Sequence, residues 1–330
     1  MNKAKCDAND YINFLVAAQK VFSTVEAGAS SGAGGPGHDS YTRLLQRLPP
    51  DSETLWEEVE PCVDKRRGML VLDDTTLDKP YAEDMALVTR HWSGKHHEVV
   101  QGINLISLVW TDDGQSSWPL DYRLYNKLVD GLDKNDHFRA MVRAAHQRGF
   151  SPRLVAFDSW YSGLDNLKLL RDFAWPWLTR LKSNRQLSPS PHQTMAVAEL
   201  TIPPEGTIVH LRGYGLVKVF RTVDPHGNAE HWATSSLTMT ELQRQAAALN
   251  AWTIESYHRG LKQFTGIQSG QFRLEISQRN HIGLAIRAFV RLEYRRIHHG
   301  IPWFETKAEV IRQAIRLYLA HPLATLPATA

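Results

Sequence analysis

Apolar residues at Tyr11, Phe14, Leu15 and Val21 recur at helical spacing and predict a helix over about 9–27. The Gly/Ser/Ala run 27–37 holds no bulky side chain and reads as a flexible linker. SYTRLLQRL (40–48) predicts a second helix, Pro49 and Pro50 break it, and Asp51 or Ser52 caps a third through Glu60. Two short helices on a proline turn suit either a helix-turn-helix or a plain helical subdomain. From residue 67 the period changes. GMLVLDD (68–74), ALVTRHW (86–92) and GINLISLVW (102–110) are apolar runs of strand type. A helix follows over 136–149, then the strand RLVAFD (153–158), a helix over 163–173 and the strand WPWLTRLK (175–182).

Three strands followed by alternating helices and strands, βββαβαβ, is the order of a ribonuclease H-like α/β fold, a mixed sheet in which the first and fourth strands are neighbours. Between 184 and 240 short strands such as TIVHLRGYGLVKVFRTV (207–223) and HWATSSL (231–237) alternate with Gly and Pro, a β-rich insertion. The chain turns helical again from 241 to about 264, with further helices over 277–299 and 306–319 and a frayed tail. The expected segments are therefore a helical N-terminal region (1–66), the first part of the ribonuclease H-like core (67–183), the insertion (184–240) and a helical C-terminal portion (241–330).

Length and composition allow one substantial core with appendages, and no run of 18 apolar residues suggests a membrane span. The N-terminus lacks the apolar stretch of a secretory signal, so a cytoplasmic protein is expected. Cys6 and Cys62 are far apart and without metal-ligand spacing, which argues against a disulfide framework or a zinc finger. A net charge of +3 says little about partners, but residues 251–300 carry eight Lys/Arg against three acids. Within that stretch Arg287, Arg291 and Arg295, with Arg296 beside them, repeat every four residues and suit either a polyanion track or a solvated face.

Asp73 and Asp74 stand where an apolar strand runs out into polar sequence, and Asp158 ends a second such strand. Strand ends are where a fixed backbone meets solvent, so reactive groups gather there. Two acids on neighbouring strands repel one another, and a shared divalent cation removes that cost. A third acid comes from WTIESYHRGLKQF (252–264). There Ile254, Tyr257, Leu261 and Phe264 form an apolar seam, and Glu255, His258, Arg259 and Lys262 form the next stripe.

VLDDTTLDKP (71–80), VAFDSWYSG (155–163) and WTIESYHRGLKQFTG (252–266) together resemble the three catalytic blocks of bacterial insertion-sequence transposases of the DDE class, notably the insertion sequence four and insertion sequence 701 groups. The resemblance implies metal-dependent cleavage of transposon ends and strand transfer into target DNA. Asp74, Asp158 and Glu255 would be the catalytic metal ligands. Asp74 is preferred to Asp73 because the family's acid directly precedes Thr. The resemblance further implies two Mg²⁺ ions, with Mn²⁺ able to substitute. Double-stranded DNA, both the terminal inverted repeats and the target, would be the partner of a homodimer. Lys262, Arg259, His258, Arg180 and Lys182 are the expected phosphate contacts. The family's Tyr-Arg-Glu-Lys signature is matched by Glu255 and Lys262, whereas its first two positions fall on Ala248 and Ala251. Trp252 or Trp232 suits either the core or stacking on an extruded base.

Three other readings share some of these residues. A ribonuclease H-like nuclease without strand transfer would use the same acids, and a decayed transposase would bind DNA without cutting it. A zinc hydrolase using His91, His96, His97 and Glu98 lacks helical ligand spacing.

Overall fold

A computed structural model describes residues 5–93, 98–126, 129, 131–224 and 226–322. Two compact units are present: Met1–Pro50 with Arg259–Ala330, and Asp51–His258. In chain order the helices are α1 (Ala8–Ala17), α2 (Thr24–Ser30), α3 (His38–Arg47) and α4 (Glu53–Val59), followed by β1 (Met69–Asp78), β2 (Thr89–Ser93), β3 (Glu98–Thr111) and β4 (Trp118–Tyr125). Next come α5 (Lys134–Gln147), β5 (Leu154–Phe157), α6 (Leu164–Asp172) and β6 (Trp177–Leu181). Five more strands follow, β7 (Gln186–Ser190), β8 (Gln193–Ala196), β9 (Thr207–Leu211), β10 (Gly215–Val223) and β11 (Ala229–Thr234). The chain ends in α7 (Glu241–Ala251), α8 (Thr253–Phe264), α9 (Glu275–His299) and α10 (Trp303–Ala320).

In the first unit α1 begins at a reciprocal capping box between Asp7 and Asp10 and buries Tyr11, Ile12, Phe14 and Leu15. It packs with α3 on α9. Polar side chains of the C-terminal helices finish the N-terminal ones: Asn280 Nδ2 donates to the carbonyls of Leu45 and Leu48, each at 2.8 Å. Lys307 Nζ likewise donates to the carbonyls of Leu15 at 2.9 Å and Ala18 at 2.6 Å, where the negative end of α1 favours a cation. The 27–37 run is not the loose linker its composition suggests. Ala27 is buried within α2, and a Cβ on Gly28 would stand 2.5 Å from the backbone nitrogen of His38, so glycine permits the close approach of α2 and α3. The two helices expected around the Pro49–Pro50 break fall in different units.

The second unit is built on one mixed sheet whose core order is β4-β3-β1-β5-β6, with β5 parallel to β1 and to β6 and the other core pairs antiparallel. That is the ribonuclease H-like arrangement. The run 86–92 is not one of its core strands, since β2 is an extra edge strand on the outer end of β3. The third core strand is β4, WPLDYRLY, whose polar Asp121 and Arg123 mask an otherwise buried strand; the two residues pair with each other at 2.8 Å. The insertion continues the same sheet, because β11 pairs antiparallel with β6 and is followed outward by β10, β9, β7 and β8. The single helix expected over 241–264 is two, α7 and α8, with a break at Trp252.

Candidate active site

Burial on both faces of β1 fixes where its acids go. Residues Met69–Leu72 are all buried, so the pleat alternates between two covered faces, and Asp73 and Asp74 must leave on opposite sides. Leu72 pairs with Phe157 across the parallel β1–β5 ladder, which places Asp73 level with Asp158 at the point where β5 ends. Asp73, Asp158 and Glu255 line one cleft of about 290 Å³. Asp73 is half-buried at its wall, while Asp158 and Glu255 are exposed. Burial, and then the charges of Asp74, Asp158 and Glu255, push the Asp73 carboxyl well above the usual carboxylate range. One of its oxygens accepts from the backbone N–H of Asp74 at 2.8 Å.

Asp74, expected among the metal ligands, is not one of the residues lining that cleft. Its Oδ2 accepts from Lys134 Nζ and Asn104 Nδ2, both at 2.7 Å, and its Oδ1 accepts from the Tyr161 hydroxyl at 2.8 Å. Burial alone would raise its pKa; the Lys134 ammonium and these bonds overcome that and hold the carboxyl below its ordinary value. The acid before Thr, preferred from the sequence, thus lies outside the cleft, and the parity of the pleat puts its neighbour Asp73 there.

The other expected contacts divide. Arg180 lines the same cleft, pairs with Glu230 at 3.0 Å and lies 5.2 Å from the ring of Trp232, which a second guanidinium, Arg244, also approaches at 5.2 Å. Lys182 is exposed, with its ammonium 5.2 Å from the ring of Trp160. His258, expected to face phosphate, is buried beside Tyr257, because it falls on the packed side of α8 rather than with exposed Glu255. Arg259 is exposed and Lys262 half-buried on the continuation of α8 in the first unit. Ala248, Ala251 and Trp252 are cleft residues, so the two positions that depart from the family signature border the acids. In the arginine row of α9, Arg295 pairs with Glu309 at 2.6 Å and Arg296 with fully buried Glu293 at 2.7 Å, which ties both into the first unit. Of the histidines weighed as zinc ligands, His91 bonds Thr89 Oγ1 at 2.6 Å, and His96 and His97 lie outside the described residues.

Among the described residues no group of three His, Cys, Asp or Glu side chains is drawn tightly enough to hold a metal ion as the side chains stand. Burial and the neighbouring acids disfavour ionisation of Asp73, whose side chain is turned onto the backbone N–H of Asp74. The strand does not run out at Asp73 as its sequence suggests, since β1 continues to Asp78, but the donor set has the chemistry of a hard-cation site, with oxygen acids from mid-β1, the end of β5 and a helix.

The sequence matches the family model described as DDE superfamily endonuclease over residues 7–199. No curated protein matches it. Among solved structures it resembles the piggyBac transposase synaptic complex with hairpin DNA, with a TM-score of 0.55 and 13% identity over 100% of this chain and 78% of that one. It also matches the Drosophila P element transposase strand transfer complex, at a TM-score of 0.31 and 9% identity, over 98% of this chain and 88% of the other. With the family model covering more than half of its length, the chain belongs to the DDE superfamily endonucleases.

Proposed function

We propose that this protein is a DNA transposase that cuts the ends of a mobile element and joins them to target DNA, with Asp73, Asp158 and Glu255 as its metal-holding carboxylates. The observation that carries the reading is the opening of these three acids into one cleft, Asp73 from the middle of β1, Asp158 just past the end of β5 and Glu255 on α8. The neighbouring piggyBac transposase was captured with hairpin DNA, and DNA as the substrate class is carried over from it as part of this proposal. Two Mg²⁺ ions held there, or Mn²⁺ in their place, would activate water or a DNA 3′-hydroxyl and stabilise the leaving oxygen.

The chain's own groups prepare the rest. Arg180 brings a guanidinium to a cleft otherwise lined by acids and apolar groups, and so attracts the scissile strand's phosphates. Lys182, next but one along the chain, continues that positive edge, and Arg259 and Lys262 offer further charge on α8. Tyr161, Asn104 and Lys134 hold Asp74 and thereby stiffen β1 beside Asp73. A homodimer bridging two element ends belongs to the same proposal.

The test is purified protein with the element's own terminal inverted repeats and Mg²⁺, read for nicking and for joining of 3′ ends. Both reactions are expected, and Asp158→Ala should abolish both while DNA binding persists. Cleavage without joining would instead identify a nuclease. Binding without cleavage would identify a DNA-binding relic, the reading that Ala248 and Ala251 in the cleft favour.

A further inference from the structure

Two residues beyond Asp158, on the short turn after β5, Trp160 stands with 56% of its surface exposed. Two ammonium groups lie near its ring: Lys134 Nζ at 5.7 Å from the centroid and Lys182 Nζ at 5.2 Å. The two cations differ in freedom. Lys134 is largely covered and anchored on Asp74 at 2.7 Å, whereas Lys182 is an exposed residue just past β6 that forms no ion pair among the described residues. An indole left in water with cations beside it is a poor core residue and a good stacking surface, since every nucleobase offers a flat π face and every nucleotide carries a phosphate beside it.

We infer that Trp160 is a stacking platform for an unpaired nucleobase of a DNA strand, with Lys182 taking an adjacent phosphate. This rests on the reading of the chain as a DNA-processing enzyme. A base inside a duplex has both faces covered by its neighbours, so the platform selects a strand end or an extruded nucleotide. Its place supports that selection, because Trp160 is separated from Asp158 by at most about 7 Å of chain. Trp160 does not line the carboxylate cleft itself and has Asp74-bound Lys134 beside its ring, so a base on the platform belongs to a nucleotide flanking the one whose phosphate the carboxylates would handle. Lys134, fixed by Asp74, keeps one cation near the indole while the exposed Lys182 side chain moves to the phosphate.

The test uses the full chain in EDTA, so that binding is read without cleavage, and two probes: a duplex with a single-stranded 3′ extension carrying 2-aminopurine, and the same duplex with blunt ends. Trp160→Ala should weaken binding of the extended probe about 10-fold or more and abolish the quenching of 2-aminopurine, while blunt-duplex binding changes less than about 3-fold. Trp160→Phe should restore most of the quenching, and Lys182→Ala should lower the salt dependence of extended-probe binding by about one phosphate contact. An unchanged melting temperature of Trp160→Ala identifies the loss as local. Equal weakening on both probes, or none on either, overturns the platform. If wild-type protein cuts element ends while quenching survives Trp160→Ala, the platform alone falls. If the protein binds neither probe and cuts nothing, the transposase reading falls with it.

Discussion

Asp73 and Asp158 follow the paired residues Leu72 and Phe157 on adjacent parallel strands, so two carboxylates leave the sheet side by side at one level. Asp74, a single residue further on, leaves on the other face and is neutralised by Lys134.

That opposition gives the first prediction. Asp73→Asn should reduce metal-dependent cleavage by about 100-fold or more while leaving the fold intact or slightly more stable, since it removes a carboxyl raised by burial and by neighbouring negative charge. Asp74→Asn should behave in the reverse sense. It leaves Lys134, with 17% of its side chain exposed, short of its partner, and should cost about 2 kcal/mol or more in urea unfolding. Equal stability losses in the two variants would remove this division of labour.

On the proposed reading, in which the Arg180 guanidinium meets phosphate rather than base, Arg180→Ala should weaken DNA binding roughly uniformly across sequences and lower the salt slope by about one. Arg180→Lys should recover only part of the affinity, as an ammonium replaces the flat group near Trp232 poorly. Fluorescence anisotropy across a salt series reads both effects.

The burial of Lys307 gives the fold a pH dependence whose sign follows from its lowered pKa. Burial lowers its pKa from 10.5 to about 8, so the folded state resists its protonation. The penalty is fully present below pH 8 and disappears as pH rises from about 8 to 10.5, giving a gain in stability on the order of 3 kcal/mol at most. Lys79, lowered to about 8 by the same cause, adds in the same direction. Urea titrations between pH 7 and 10.5 should show stability rising, and Lys307→Met should flatten that rise.

Gly28→Ala should lower the melting temperature, with a cost of roughly 1–3 kcal/mol, because the added methyl meets the His38 backbone. An exposed neighbour without such a contact, Gly32→Ala, faces only the penalty of its positive φ of 70°. A calorimetric scan in which Gly28→Ala melts as wild type would show that α2 and α3 are not in close contact.

Much of this was legible in the chain. Strand-terminal Asp158 and the helical stripe beginning at Glu255 announced themselves because apolar runs stop at the former and an apolar seam flanks the latter. The choice between Asp73 and Asp74 was not legible, since β1 is covered on both faces and its hydrophobic run shows no alternation that would reveal which side each acid takes. His258 was misread because stripe membership depends on the rotation of α8, which packing sets and spacing does not. Strand β4 was passed over because its interior Asp121–Arg123 pair looks like surface sequence until the partners are seen together. The 27–37 run looked loose because small residues signal flexibility and tight helix contact equally well.

The seam between β6 and β11 has a consequence for how such a chain can be shortened. A bare five-strand core would end at β6, whose open row of N–H and C=O groups would invite a second chain to dock there. By pairing along that border the insertion covers it, and excising residues 184–234 should yield a protein that self-associates before it loses its shape.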